Sequence, residues 1–235
     1  MMKAIIQAGG PGTRLRPITY EIPKPLLTVR KKPILNYTVE FLKQHGVSEI
    51  GVIISAEHRN DFNDWLAAAK ENISDGVSLF IENKPSGTFG WLRNLKEWLG
   101  AESFILANGD TLFDFNLKEA NELHGQHKPI ATIILKAVEH SGDYGTVSLD
   151  ENNRILSFVE KPKTSTGPAF VSTGFYILEP LIFEFDEPAK DFLMIERDIF
   201  PVLAKAGKMI GAKVIDGRFY DCGTFERWEN AIREW

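Results

Sequence analysis

Apolar residues along the first half of the chain alternate between two rhythms. Lys3-Ala-Ile-Ile, Glu49-Ile-Gly-Val-Ile-Ile-Ser, Val77-Ser-Leu-Phe-Ile-Glu and Ser103-Phe-Ile-Leu-Ala are continuous apolar runs of strand length. β-branched residues in the second run strengthen the strand reading. Between these runs, Ile34 to His45 carries Leu35, Val39 and Leu42 at helical spacing and stops at Gly46. Asp61 to Asn72 reads as helix through Ala67, Ala68 and Ala69, and Thr88 to Leu99 reads as a helix ended by Gly100. A βαβαβαβ order predicts right-handed crossovers and a largely parallel sheet. The second half changes character. Runs in Ile130–Glu139, Thr146–Asp150, Ile155–Glu160 and Phe170–Leu178 read as strands with few helices between them. A helix near Glu196 to Ala206, a strand at Lys213-Val-Ile and a helix from Phe225 to Arg233 follow. No repeat, low-complexity tract or long linker interrupts the pattern, which predicts one domain.

Composition narrows the chemistry. The chain has 235 residues, 43% of them hydrophobic and 25% charged, which is ordinary for a globular domain. Lys and Arg number 27 against 32 Asp and Glu, so the net charge of −5 provides no whole-molecule basic field for nucleic acid. Anionic ligands would need a local basic cluster or a metal. The single cysteine, Cys222, gives no internal disulfide framework and suits a reducing, cytoplasmic setting. No run is long enough to span a bilayer, and the short apolar run after Lys3 does not read as a signal peptide.

The stretch Gln7-Ala-Gly-Gly-Pro-Gly-Thr-Arg-Leu-Arg-Pro follows the first strand. Glycines there can expose backbone N–H groups to phosphate oxygens, and they also serve in any tight turn. The dinucleotide fingerprint G-x-G-x-x-G is absent, because Arg14, Leu15 and Arg16 follow Gly12, and no Gly-Lys-Ser/Thr of a P-loop appears. Two cations change the picture. Arg14 is a rigid fork suited to phosphate. Lys24 stands between Pro23 and Pro25, which stiffen the backbone around it. Asp110 follows the fourth strand, where parallel sheets bind ligands, although a turn aspartate is the plain alternative. Asp221 precedes the last helix and could merely cap it, but Thr224 is better placed for that. Two carboxylates together suit one Mg²⁺ that keeps waters and binds substrate phosphates.

The motif from Gly9 to Leu27, G-G-x-G-T-R-L-x-P-x-T followed by P-K-P-L, resembles the signature of sugar-1-phosphate nucleotidyltransferases, the nucleotide-sugar pyrophosphorylases. The similarity continues in order through Glu82 to Gly90, Asn108-Gly-Asp-Thr, Tyr144-Gly-Thr-Val, Phe158 with Glu160-Lys-Pro, Ser172 to Tyr176, and Asp221-Cys-Gly-Thr. The resemblance implies an α/β, Rossmann-like nucleotide-diphospho-sugar transferase fold, with a mixed, mainly parallel central sheet flanked by helices. It implies a single domain over residues 1–235, with a nucleotide-binding half to about residue 112 and a sugar-phosphate-binding half from about 113. The partners it implies are an NTP and a sugar 1-phosphate, with neither nucleic acid nor membrane, and a homo-oligomer is left open. Its nucleotide contacts fall on Gly9, Gly10, Gly12, Thr13, Arg14, Lys24, Glu82, Gly87 and Asn108. Its sugar-phosphate contacts fall on Gly145, Glu160, Lys161 and Gly174. Its catalytic residues fall on Arg14, Lys24, Asp110 and Asp221, the two aspartates as Mg²⁺ ligands.

Other readings of the same residues are weaker. A glycosyltransferase of related fold usually carries a D-x-D motif, and Asp110 and Asp114 are too far apart for one. A dinucleotide-dependent oxidoreductase lacks its third glycine. A non-catalytic nucleotide-binding relative would not need all of Arg14, Lys24, Asp110 and Asp221. His58, His124, His127 and Cys222 show no zinc-ligand spacing, and no G-x-S-x-G elbow supports a hydrolytic triad. Strand alternation points Glu160 and Lys161 to opposite faces, so the two are not expected to pair. Gln7 stands where the family has an apolar residue, and Phe89 and Trp91 stand where it has small ones. Trp91 shares a helical face with Leu95 and Trp98 and is expected in the core. Phe89, beside the glycine turn, is expected to face a pocket. The chain ends soon after the last motif and is expected to carry no acyltransferase or β-helical domain.

Overall fold

A computed structural model of the chain describes residues 2–162, 167–213 and 217–235. The elements begin with β1 (Lys3–Gln7), the short strands β2 (Thr28–Val29) and β3 (Lys32–Pro33), α1 (Ile34–Gln44), β4 (Glu49–Ser55), α2 (Arg59–Ala68), α3 (Glu71–Ser74) and β5 (Val77–Glu82). Next come α4 (Gly87–Leu92), α5 (Lys96–Leu99), β6 (Phe104–Asn108), β7 (Thr111–Asp114), α6 (Leu117–His127), β8 (Ala131–Val138), β9 (Thr146–Leu149), β10 (Ile155–Val159) and β11 (Ala169–Leu178). The chain continues with α7 (Phe200–Lys205), β12 (Met209–Lys213), β13 (Arg218–Asp221) and α8 (Phe225–Glu234). The class is α/β, with a mixed, mainly parallel sheet flanked by helices. Among the described residues no helix is long and apolar enough to cross a membrane.

Two compact units divide the chain. The first comprises Met1–Lys84, Leu106–Phe115 and Gly217–Trp235. Its strands β1, β4 and β5 pair in parallel, with Ile5 opposite Gly51 and Gly51 opposite Ser78. Ile5, Ile6, Ile50, Val52 and Ile54 lose all their solvent contact there, as continuous strand-length apolar runs require. Leu35, Val39 and Leu42 of α1 form the helix's fully buried stripe. A second small core joins Leu15, Leu27, Val29 and Ile34 to Leu112, Cys222 and Ala231. The antiparallel ribbon β7–β13 feeds that core, with Asp221 opposite Thr111.

The second unit comprises Pro85–Ile105 and Asn116–Asp216. Here β11 pairs antiparallel with both β8 and β9, β10 pairs antiparallel with β9, and β12 pairs parallel with β8. The β8–β11 register shifts between Ser172 and Tyr176, and Gly174 inside that bulge has φ 76°. The helix expected over Thr88–Leu99 is broken by a 3₁₀ turn at Arg93–Leu95. The expected helix near Glu196 begins with a π-helical turn, Ile195–Ile199, before α7. Within the expected Lys213-Val-Ile strand, Lys213 ends β12, and Val214 and Ile215 lie outside the described residues.

Candidate active site

In the first unit the chain leaves β1 at Gln7 and turns through the glycines. Gly12 is left-handed, with φ 57°, and its carbonyl accepts a 2.9 Å hydrogen bond from the Thr19 hydroxyl. A Cβ on Gly12 would stand 2.9 Å from the Thr19 methyl, so both conformation and space call for glycine. A Cβ on Gly9 would stand 3.4 Å from Glu82 Oε2, which places that carboxylate beside the loop. Gly10 faces open space, and Thr13 and Arg14 are exposed. Leu15 and Leu27 anchor the signature stretch in the small core, while Thr13, Arg14 and Arg16 stay outward. Asn108 ends β6, and the next residue, Gly109, donates its N–H to Gln7 O at 2.9 Å. A Cβ there would stand 2.9 Å from that same oxygen, so the fourth-strand turn can sit this close to β1 only as glycine.

Two ion pairs follow from this framework. Lys24 is buried, as its flanking prolines are, and its ammonium pairs with Asp110 Oδ2. Thr111 Oγ1 donates to Asp110 Oδ1 at 3.1 Å. The β7–β13 ribbon brings Asp221 next to Thr111, and Cys222 N–H donates to the Asp110 carbonyl at 3.0 Å. Arg227 Nη1 meets Asp221 Oδ2 at 2.6 Å. Thr224 caps α8 by accepting the Arg227 N–H, so capping does not occupy Asp221. A Cβ on Gly223 would stand 2.7 Å from both Arg14 Nη2 and Asp221 Oδ1. Arg14, Lys24, Asp110 and Asp221 therefore converge within the first unit, although they are scattered over the sequence.

Their electrostatics are unequal. Burial works to raise the Asp110 pKa, but the Lys24 charge and the Lys24 and Thr111 hydrogen bonds outweigh it and hold this carboxyl below its ordinary value. Asp221 is pushed up, first by burial and then by the Asp110 charge, against the pull of Lys24 and Arg227. Burial and the same two carboxylates push the Cys222 thiol up to about 12, so it is no thiolate nucleophile. Two carboxylates that repel each other form an oxygen donor set suited to a hard divalent cation. No larger group of His, Cys, Asp or Glu able to hold a metal occurs among the described residues. A cation held here would draw its remaining ligands from water or substrate.

In the second unit, a Cβ on Gly145 would stand 2.5 Å from Phe158 Cζ and 2.9 Å from Glu160 Oε2, so Gly145 and Glu160 meet. Glu160 and Lys161 do pair, at 3.4 Å, contrary to the alternation argument. The reason is local: β10 ends at Val159, and Lys161 takes φ 44°, which turns its side chain back toward its neighbour. Gly87, φ 84°, lies against Leu193, where a Cβ would stand 2.3 Å from its carbonyl oxygen. The Gly174 N–H is held by Ser172 Oγ at 3.3 Å.

Phe89 is a correction. It is fully buried, and its ring lies 5.9 Å from that of Phe183. Phe89 and Gly90 N–H both donate to Leu193 O, and Leu193 N–H donates to Ser86 O, which fixes the first turn of α4 with Phe89 inward. Trp91, expected in the core, is half-buried. Two residues went unread in the sequence. Arg227 was signalled by its place three residues after the cap Thr224, and Glu196 by its place directly after the apolar Leu193-Met-Ile.

Residues 3–234 match the nucleotidyl transferase family. The UTP–glucose-1-phosphate uridylyltransferase of Synechocystis is 35% identical, over 99% of this chain and 63% of its own length. The mannose-1-phosphate guanyltransferase beta-B of Xenopus laevis is 34% identical, over 94% of this chain and 61% of its own. The chain thus spans somewhat less than two thirds of these curated relatives. HddC from Yersinia pseudotuberculosis, solved as a complex with GMP-PN, superposes with a TM-score of 0.81 at 28% identity, covering 100% of this chain and 99% of that one.

Proposed function

The chain belongs to the nucleotidyl transferase family, and we propose that it joins an NTP to a sugar 1-phosphate, forming an NDP-sugar and pyrophosphate. The observation that carries this reading is the convergence of Arg14, Lys24, Asp110 and Asp221 around the glycine loop. A phosphate oxygen of the sugar phosphate attacks the α-phosphorus of the NTP in line, and pyrophosphate departs from the opposite side. That oxygen is already ionised near neutral pH, so no general base is needed, and catalysis is positioning plus charge stabilisation.

The roles divide by chemistry. Backbone N–H groups of Gly9, Gly10, Gly12 and Thr13 hold the nucleotide phosphates, and Arg14 takes the departing pyrophosphate. Lys24 offsets the charge that grows at the α-phosphate. Glu82, Gly87 and Asn108 contact the nucleoside. Asp110 and Asp221 would hold Mg²⁺, which supplies neutralisation and orientation of the phosphates. Gly145 and Gly174 line the sugar, Glu160 accepts from its hydroxyls, and Lys161 holds its phosphate. We read residues 1–235 as one nucleotidyltransferase domain in which residues to about 112 serve the nucleotide and later ones the sugar phosphate.

For the substrates we favour GTP with a mannose or heptose 1-phosphate. The guanyltransferase relative and the GMP-PN complex of HddC support that choice. The uridylyltransferase relative supports a UTP or dTTP enzyme as second reading. Pyrophosphate release from each of GTP, UTP, dTTP, ATP and CTP, against a panel of sugar 1-phosphates, tests both. Fastest turnover with UTP and glucose 1-phosphate would favour the second, and no release from any pair would remove the reaction itself.

A further inference from the structure

Glu196 is a buried carboxylate that the proposed reaction leaves without a task. It stands in the π-helical turn Ile195–Ile199 and joins two segments that carry expected substrate contacts. Its Oε2 accepts a 2.7 Å hydrogen bond from the Thr88 hydroxyl, one residue after Gly87. The same Thr88 oxygen accepts the Ile195 N–H at 2.8 Å. On the other side, Tyr176 O–H reaches Glu196 Oε1 at 3.5 Å. Ser172 O–H donates to Tyr176 at 3.3 Å, and Gly174 N–H donates to Ser172. All of these groups belong to the second unit.

The direction of this relay is set at its end. An ionised carboxylate only accepts, so Tyr176 must spend its proton on Glu196. The tyrosine oxygen is then an acceptor toward Ser172, and the serine oxygen an acceptor toward the bulge at Gly174. One carboxylate thus polarises a chain of bonds from the α4 turn to the β11 bulge, and such chains couple beyond their separate bonds. A burial penalty accompanies the charge and raises the pKa of Glu196, with the Thr88 bond opposing that rise.

We propose that Glu196, anchored on Thr88, is a positioning residue that fixes the Ser172–Tyr176 bulge in the geometry that receives the sugar 1-phosphate. The inference rests on the proposed reaction, and it assigns the sugar-phosphate site a support outside its contact residues. Glutamine is close in shape but carries an N–H₂ where the carboxylate accepts. It can accept from one hydroxyl only, so it forces the relay to reverse or break on the other side.

The test uses Glu196→Gln, Tyr176→Phe and the double variant in the intact chain, with mannose 1-phosphate and glucose 1-phosphate as probes. Calorimetry reads binding of each probe whether or not turnover occurs, which separates failure of this inference from failure of the reaction. We expect Glu196→Gln to weaken binding of the better probe about tenfold, the scale of one lost hydrogen bond to a charged group, with NTP affinity kept within about twofold. We expect the double variant to bind little worse than the weaker single one, because both act on one relay. Additive losses, or equal losses of NTP and sugar-phosphate affinity, would mean that Glu196 only stabilises the fold. Unchanged probe affinity in Glu196→Gln would also overturn the proposal. Wild-type binding of the probes without pyrophosphate release would sink the proposed reaction while leaving the relay testable.

Discussion

Replacing each aspartate of the site with asparagine should separate activity from stability. Asp110 and Asp221 lie side by side, but their surroundings treat ionisation in opposite ways. Lys24 has a side chain 10% exposed and depends on Asp110 for its counter-charge. Asp110→Asn leaves that ammonium with a neutral partner. Breaking a buried pair costs roughly 3–5 kcal/mol, and a retained amide acceptor and the 28% exposure of the Asp110 side chain bring the expectation to about 2–3 kcal/mol. Asp221→Asn also loses an ion pair, with Arg227. It simultaneously removes a charge that burial and Asp110 disfavour more than Lys24 and Arg227 favour it. The net change should stay within about 1 kcal/mol of zero. The pH dependence has opposite signs. Asp110's contribution is complete above its ordinary pKa of 3.8 and fades as pH falls through its lowered native value. Asp221's penalty is absent below 3.8 and sets in as pH rises through its raised native value, so the asparagine variant gains on wild type across that window. Urea unfolding with EDTA at a series of pH values reads both. Each variant should lose about a hundredfold or more in kcat, as when other charge-stabilising groups are removed. If Asp221→Asn unfolds as readily as Asp110→Asn at pH 7, the opposition between these carboxylates is wrong. Near-wild-type turnover of either variant at saturating Mg²⁺ would end the metal assignment.

Alanine at Arg14 or Lys24 should abolish NTP turnover with every sugar phosphate, while Lys161→Ala should mainly raise KM for the sugar phosphate and leave NTP binding, read by calorimetry, largely intact. Phe89→Ala should cost about 3–5 kcal/mol by chemical denaturation and leave the ranking of substrates unchanged, whereas the half-buried Trp91 should cost less; a changed ranking with full stability would restore Phe89 to a pocket. Gly223→Ala sets a methyl 2.7 Å from Arg14 Nη2 and from Asp221 Oδ1, so kcat/KM should fall about tenfold or more by displacement of these groups, with melting little changed.

The sequence was most readable where structure is local. The parallel strands β1 and β4 coincide with short apolar runs, because burial on both faces leaves no polar alternation to confuse them, while the partly exposed β5 is marked by its Leu79-Phe-Ile run. The helix Leu117–His127 was missed. Its buried side chains are Leu117, Ala120 and His124, and a buried histidine does not register as apolar. His124 is accommodated by Thr132 on the next strand and by Glu179, a partner that no local window contains. Strand Arg218–Asp221 was equally invisible, since its partner Thr111–Asp114 lies far away in the chain. Among site residues, the signature carried Arg14 and Lys24 plainly, but Arg227 and Glu196 matter through the groups they hold. The inward turn of Phe89 depends on hydrogen bonds from a segment around Leu193, which helical periodicity cannot see.

The first unit is interrupted. Most of the second is spelled out between Phe115 and Gly217, and the ribbon that brings Asp221 to Asp110 closes across that insertion. During synthesis the glycine loop, Lys24 and Asp110 leave the ribosome long before their last companion. Until Gly217–Trp235 follows, Leu15, Leu27 and Val29 lack Cys222 and Ala231 to pack against, and Asp110 has Lys24 but no second carboxylate. Closing so long a loop adds little to the equilibrium cost, because that cost rises only with the logarithm of loop length. Its weight falls on timing, since contacts distant in sequence form slowly. A nascent chain therefore carries the site unfinished, and the proposed triphosphate seat is completed in one late event with the closing ribbon.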